Sequence, residues 1–396
     1  MTRAHRRLAA AAVAVALSAS AVAPSAAAFL DAGRVRADLA AVDAVDELFI
    51  GVDAGQDYSL GWDDAGGLFT WGRNEAGQLG HGTVGGSHLL PTRVLALSDH
   101  RVVRAAAGVS SAIALTEDGG VWTWGSPTGA ANGPAPRRVE AFDDLPGDDA
   151  VVGVDAGGFY YLAWTAAGAL YSWGLPDERL GRDPGWPRTE PERVTAQGLD
   201  ARSVTHASAG RDHGTAVVDG GVVGWGSGYD GIGGATLTGI PGGVRAVGTA
   251  AGTRDTLVWT DAGTLLQAQS GSGLTLVAGL STQFTIGAAV SSPEAGQADP
   301  GYWAWTAGDR LWAWGSNEGG KLGLGSPTGV VVAPSAIVLA DGSMPRMIGA
   351  GGNHTLYDAV DGHYAAAGDN THGQLGDGTT DARGWFGLII PVLRWP

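Results

Sequence analysis

A chain of 396 residues with 67 glycines, 15 tryptophans and 18 prolines is neither collagen-like nor a disordered polymer, and it is long enough to bury a large core. Its formal charge of −16 disfavours nucleic acid and anionic membranes as partners. The absence of cysteine excludes disulfides, thiolate catalysis and a lipoprotein anchor.

The N-terminus, MTRAHRRLAAAAVAVALSASAVAPSAAAFL, places Arg3, Arg6 and Arg7 before an apolar run from Leu8 to Ala23, which is short for a bilayer span. Ala26-Ala27-Ala28 forms an A-x-A cleavage site, so residues 1–28 read as a signal peptide and the mature protein as secreted, extracellular or cell-wall associated. Cleavage after Ala21 or Ala23 and retention as a membrane anchor are the alternatives, and Arg6-Arg7 carries only a weak twin-arginine signal. Removing the three arginines takes the formal charge from −16 to −19. Residues 29–50 form an N-terminal segment with two readings. Val35, Leu39, Val42 and Leu48 suit an amphipathic helix, whereas Val35 to Val42 suits a strand that closes a ring of sheets, which is the preferred reading.

From residue 51 to 396 one pattern recurs. The stretches GLFTWG, GVWTWG, ALYSWG, GVVGWG and RLWAWG end in Trp71, Trp124, Trp173, Trp225 and Trp314. About 17 residues before each lies an Ala-Gly pair: Ala54-Gly55, Ala107-Gly108, Ala156-Gly157, Ala209-Gly210 and Ala295-Gly296. Ala251-Gly252 and Ala350-Gly351 complete the set, with Gln267 and Ala367 at the tryptophan position, so repeats start near residues 51, 104, 153, 206, 248, 292 and 347. After each pair comes an alternating run such as YSLGWDDAGG or YYLAWTAAGA, a strand running into a hairpin turn. The Trp-Gly run is the returning strand; a glycine-rich loop and a short outer strand such as PTRV, PRRV or PERV follow. Four short strands in each of seven units predict an all-β fold, a seven-bladed β-propeller of four-stranded blades.

These units resemble the regulator of chromosome condensation repeat family. WGRNEAGQLGHGT (71–83) and GDNTHGQLGDGT (368–379) match its Ala-Gly, Trp-Gly, Gly-Gln-Leu-Gly and Gly-Thr pattern almost throughout, and WGSNEGGKLGLGS (314–326) is close. The fourth and fifth units depart most: WGSGYDGIGGATL shortens the loop and LLQAQSGSG lacks the tryptophan. The resemblance covers about residues 45 to 394 and implies the propeller fold. It implies function only weakly. The founding relative is a nuclear exchange factor for a small GTPase. That role needs a cytosolic or nuclear partner, which an exported acidic chain does not meet, and a wedge-like insertion, which the sequence does not reveal. Secreted bacterial propellers of this family that inhibit β-lactamases share architecture and export with this chain, although they have shorter blades without Gly-Gln-Leu-Gly.

Little in the chain carries chemistry. Gly80, Gly82 and Gly85 spell G-x-G-x-x-G, but the sequel GSHLLPTRV is a proline-bounded strand instead of a helix, so no nucleotide or other cofactor is expected. The nine histidines have no close ligand spacing, so no metal is expected. Paired carboxylates such as Asp63-Asp64 sit on turns, where neighbours point apart.

One ring of positions remains, where the chain leaves each Ala-Gly pair and enters the second strand. It presents Asp57, Tyr58, Phe159, Tyr160, Arg211, Asp212, His213, Arg254, Asp255, Asn353 and His354 on one propeller face as a candidate protein-binding ring, with Gln56, Ser110, Ser111 and Asp299 beside them. For His213 and His354 the competing reading is a hydrogen bond to the neighbouring blade. The expectation is therefore an exported, monomeric, non-catalytic scaffold that binds another protein through this ring. The alternatives are an enzyme inhibitor of the β-lactamase-directed kind, a secreted carbohydrate-active enzyme using Asp57, Asp212, Asp255 and Asp299, and a cell-wall structural protein.

Overall fold

The computed structural model describes residues 49–125, 133–174, 177–183, 190–269, 272–281, 283–291, 300–307, 310–325, 329–337, 345–359 and 364–389. The leader 1–28, and the segment 29–50 apart from Phe49 and Ile50, lie outside them.

The alternating runs pair as antiparallel strands. In the first sheet β1 (Phe49–Ala54), β2 (Tyr58–Asp63), β3 (Leu68–Arg73) and β4 (Ser87–Arg93) lie in sequence order. Six further sheets repeat this order, with inner strands β5 (Val102–Ala107), β9 (Val151–Ala156), β13 (Val204–Ala209), β17 (Ala246–Ala251), β21 (Thr285–Val290) and β25 (Pro345–Ala350). Each inner strand touches the next, and β25 returns to β1, so the seven sheets close into a propeller around a central channel. The glycine of each Trp-Gly step permits the close return: Gly72 and Gly226 hold φ of 95° and 94°, and a Cβ there would strike the backbone of the second strand.

Adjacent blades are joined by hydrogen bonds that recur with the repeat. The glycine-rich loop of one blade turns a carbonyl toward the buried indole of the next: Trp124 Nε1 donates to Gln78 O at 2.8 Å, Trp225 Nε1 to Arg179 O at 2.8 Å and Trp71 Nε1 to Gln374 O at 2.9 Å. The glycines that close these loops, Gly80, Gly181 and Gly376, lie against the same indoles, where a Cβ would overlap the ring. Of the G-x-G-x-x-G glycines only Gly80 meets an indole, that of Trp124, while Gly82 and Gly85 face open space and the chain continues into β4, a strand. In the channel wall Asp53 of β1 accepts from Ala107 N of β5 at 2.9 Å, and Asp155 of β9 from Ala209 N of β13 at 2.8 Å, stapling neighbouring inner strands.

Closure uses the same means. Ser59 donates to Gln374 O at 2.8 Å, so its oxygen is left to accept from His354 Nε2 at 2.8 Å; Phe49 stacks on Trp71 at 5.9 Å and tilts onto Tyr364 at 5.6 Å. The seventh sheet is completed by Arg383–Ile389, a C-terminal strand, and the expected closing strand over Val35 to Val42 lies outside the described residues.

A second correction concerns the sixth blade, whose inner strand begins at Thr285 and not near 292. Val290-Ser291 takes the Ala-Gly place: Ser291 N donates to Gly301 O at 2.9 Å as Gly55 N donates to Tyr58 O. Two residues separate the partners in the first blade and nine in the sixth, so the turn of the sixth blade is longer by seven residues. Ala295-Gly296 and Asp299 lie outside the described residues.

Burial depresses His213 and His354 to about 4. An unfolded chain protonates these imidazoles near pH 6.5, so their neutrality costs stability as pH falls from about 6.5 to about 4. Replacing His354 with Gln, which keeps an N–H donor for Ser59, should therefore flatten the decline of melting temperature across that window relative to wild type. Equal slopes would show that the imidazole is not held neutral.

Candidate functional site

Successive strands of a blade run in opposite directions, so the turns from first to second strand and the loops from third to fourth share one propeller face. The candidate ring lies on that face, and the structure splits it into two groups. Tyr58, Tyr160, His213, Asp255 and His354 head the second strands and are buried, with exposures of 0 to 4%. They are corrected from partner-binding residues to blade-to-blade latches where their bonds are seen. Tyr58 OH donates to Ser111 O and Tyr160 OH to His213 O, both at 2.7 Å, each reaching the following blade. His213 Nε2 lies 3.0 Å from Thr256 Oγ1, and His354 meets Ser59. Strand polarity explains the burial. The first residue of a second strand faces the neighbouring sheet, whereas the residues just before it belong to the turn.

Asp57, Phe159, Arg211, Asp212, Arg254 and Asn353 stay at the turns, half-buried or exposed. Two groupings organise them, and both need residues from the adjoining loops. In the first blade Arg73 Nη1 lies 3.1 Å from Asp57 Oδ2 and also pairs with Glu75. Burial raises the Asp57 carboxyl above its ordinary value despite Arg73.

The larger grouping bridges the third and fourth blades. Arg179 places its guanidinium 5.4 Å from the Phe159 ring centre, 3.0 Å from Asp177 and 3.9 Å from Asp212, and its Nη1 approaches Arg211 O at 3.5 Å. The same residue's carbonyl accepts from Trp225, so its backbone is locked inward while its side chain stays 20% exposed. Asp177 begins the short helical turn Glu178–Leu180 and accepts from Arg179 N at 2.9 Å, which fixes the loop further. Asp177, Glu178, Arg179, Asp212 and Ser227 line a shallow depression there. The result is a rigid platform of cation, aromatic ring and carboxylates. Asp57 and Asp212 lie in different blades, each beside its own arginine.

Arg73, Glu75, Asp177 and Arg179 were not among the residues expected from sequence. The available signal was the substitution of Arg179 in ERLG for the glutamine of GQLG. A loop read only as turn chemistry conceals which of its side chains faces outward.

The regulator of chromosome condensation (RCC1) repeat profile matches residues 65–115 and 309–357. The human E3 ubiquitin-protein ligase HERC2 is 34% identical over 212 residues, which is 51% of this chain and 4% of the ligase, so the chain spans a small fraction of that relative. The ultraviolet-B receptor UVR8 of Arabidopsis thaliana is 27% identical over 377 residues, covering 86% of this chain and 81% of the receptor. Among solved structures, Prp20p of Saccharomyces cerevisiae superimposes with a TM-score of 0.65 at 19% identity, covering 79% of this chain and 84% of that one, a likeness of fold.

The division between latch and surface is measurable. Tyr160→Phe removes one hydroxyl donor inside the blade interface and should lower unfolding stability by about 1 kcal/mol, His213 O keeping its bond from Gly210 N. Chemical denaturation reads this. A variant as stable as wild type would remove Tyr160 from the latch.

Proposed function

This chain is a seven-bladed propeller of RCC1 repeats, and on that footing we propose that it is an exported scaffold, without catalysis of its own, that binds a protein through the face carrying the Arg179 platform. The carrying observation is Arg179 itself: a partly exposed guanidinium over Phe159, flanked by Asp177 and Asp212, on a backbone fixed by Trp225. Arginine and aromatic groups on rigid supports are what interface hot spots use, because little side-chain entropy is lost on docking. The fold supports this reading, since Prp20p, which shares it, has binding properties to Gsp1p and histones. The basic, then apolar, then Ala-rich N-terminus supports export, and the formal charge of −16 favours a partner with a basic surface.

Mature protein used as bait for culture supernatant and cell-wall extract should capture a partner that leaves as salt is raised. Phe159→Ala and Arg179→Ala should each weaken that capture by about tenfold or more, the loss of a hot-spot residue. If every captured partner holds both variants as tightly as wild type, the platform is not the binding site. Loss of a glycan-cleaving activity on changing Asp57 and Asp212 to Asn would overturn the non-catalytic reading. N-terminal sequencing of the exported chain should begin at Phe29; a chain retained with Met1 would overturn the leader.

A further inference from the structure

The central channel holds a cavity of about 340 Å³, and one level of its wall follows a rule that the surface site does not use. In the first, third, fifth and sixth blades the inner strand carries a glycine at this level, and the residue paired with it on the second strand is a tryptophan whose ring covers the glycine. These pairs are Gly51 with Trp62, Gly153 with Trp164, Gly248 with Trp259 and Gly287 with Trp305. In the second, fourth and seventh blades the sizes are exchanged. The inner strand supplies Arg104, His206 or Met347, and the second strand pairs Leu115, Val217 or Asp358 with it. Every blade thus sends one large side chain to the same level, and together they form a collar.

The collar is continuous where contacts are seen. The Arg104 guanidinium lies 5.3 Å from the Trp164 ring centre, and the His206 ring lies 5.7 Å from Trp164 and 5.8 Å from Trp259. It is also uneven. Trp62 and Trp164 are 3% and 4% exposed, whereas Arg104, His206, Trp259, Trp305 and Met347 are half-buried and line the cavity. A collar built only for packing would bury its tryptophans equally.

Arg104 makes no hydrogen bond or close ion pair among the described residues, and its charge acts on Asp53 and Asp155 only through space. The carboxylates one layer along, Asp53 and Asp155, already accept backbone N–H groups with both oxygens. Asp53 is further pushed up to about 7 by burial, so its opposition to an incoming anion is weakened near neutral pH. The cavity reaches the turns between first and second strands, where Gly55, Gln56, Gly108, Gly157 and Gly351 line it beside Val109.

We propose that this channel binds a small amphipathic monocarboxylate, its anionic head against Arg104 and its apolar body along Trp259 and Trp305. The cavity is at the lower end of the about 300–1,000 Å³ range of small-molecule sites, which suits such a ligand. The apolar body can be aromatic or aliphatic, and two probes separate these.

Calorimetric titration of the mature chain with 2-naphthoate, decanoate and the uncharged 2-naphthalenemethanol tests the assignment. At least one carboxylate should saturate a single site, and the preferred one identifies the ligand's body. For an aromatic body, 2-naphthalenemethanol should bind about tenfold or more weakly than 2-naphthoate, having lost the charge-assisted contact. Arg104→Gln should weaken the carboxylate by about tenfold or more, and Trp259→Leu should weaken it as well, while Arg179→Ala leaves it unchanged. If Arg104→Gln does not fold, Arg104→Lys, which keeps the charge but loses the planar fork, should give a smaller loss in the same direction. No saturation by either carboxylate at about 1 mM, or equal affinity in the folded Arg104 variant, overturns the proposal. Because Arg179 does not line the cavity, failure here leaves the surface reading standing, and failure of partner capture leaves this one.

Discussion

The hydrogen bond from a buried indole to a loop carbonyl of the preceding blade is the interaction on which this ring depends. A single four-stranded sheet cannot hide both of its faces, so each must be covered by its neighbour. Hydrophobic contact alone would let neighbouring sheets slide. The indole N–H has one direction and one acceptor, and a buried donor left without a partner costs about 1–3 kcal/mol. Trp124, Trp225 and Trp71 therefore fix how far and at what height each of these blades meets the one before it. The latches from Tyr58, Tyr160 and His354 add directed bonds at the same three interfaces, and His213 adds one between the fourth and fifth blades.

This arrangement explains why the exposed platform is rigid. Arg179 does two jobs with one residue, its carbonyl holding Trp225 and its guanidinium covering Phe159. A loop that moved to adapt to a partner would have to break the blade interface. Specificity on such a surface comes from which side chain occupies the glutamine position of a loop whose backbone is already committed. The repeat keeps Gln78, Arg179, Lys321 and Gln374 at that position, but their environments differ: Lys321 is fully buried and donates to Gly352 O at 3.3 Å, whereas Arg179 reaches solvent.

The architecture was legible in the sequence because it rests on spacing. Ala-Gly, alternating run and Trp-Gly recur at strand period, and the turns are marked by glycine. Where the marks were weak the reading slipped. The sixth blade has Val290-Ser291 where an Ala-Gly pair was sought, and a coincidental Ala295-Gly296 nearby took its place. The site was less legible for a different reason. Tyr58 and Asp57 are adjacent in sequence, yet one faces a neighbouring blade and the other the solvent, since a strand reverses side with every residue. The channel collar was hidden more deeply. Trp62, Trp164, Trp259 and Trp305 stood in plain view within the alternating runs, but only the pairing with Gly51, Gly153, Gly248 and Gly287 shows where their rings go.

The seventh sheet, built wholly from the C-terminal repeat, has an evolutionary consequence. Propellers whose last sheet borrows a strand from the opposite terminus cannot gain or lose a repeat without cutting through a blade. Here sheet and repeat coincide, so duplication or deletion of one genetic unit adds or removes one intact blade together with its loop, its indole and its latch. The ring can then be edited in whole modules, and a unit as divergent as the fifth can drift while its neighbours maintain the interfaces on either side.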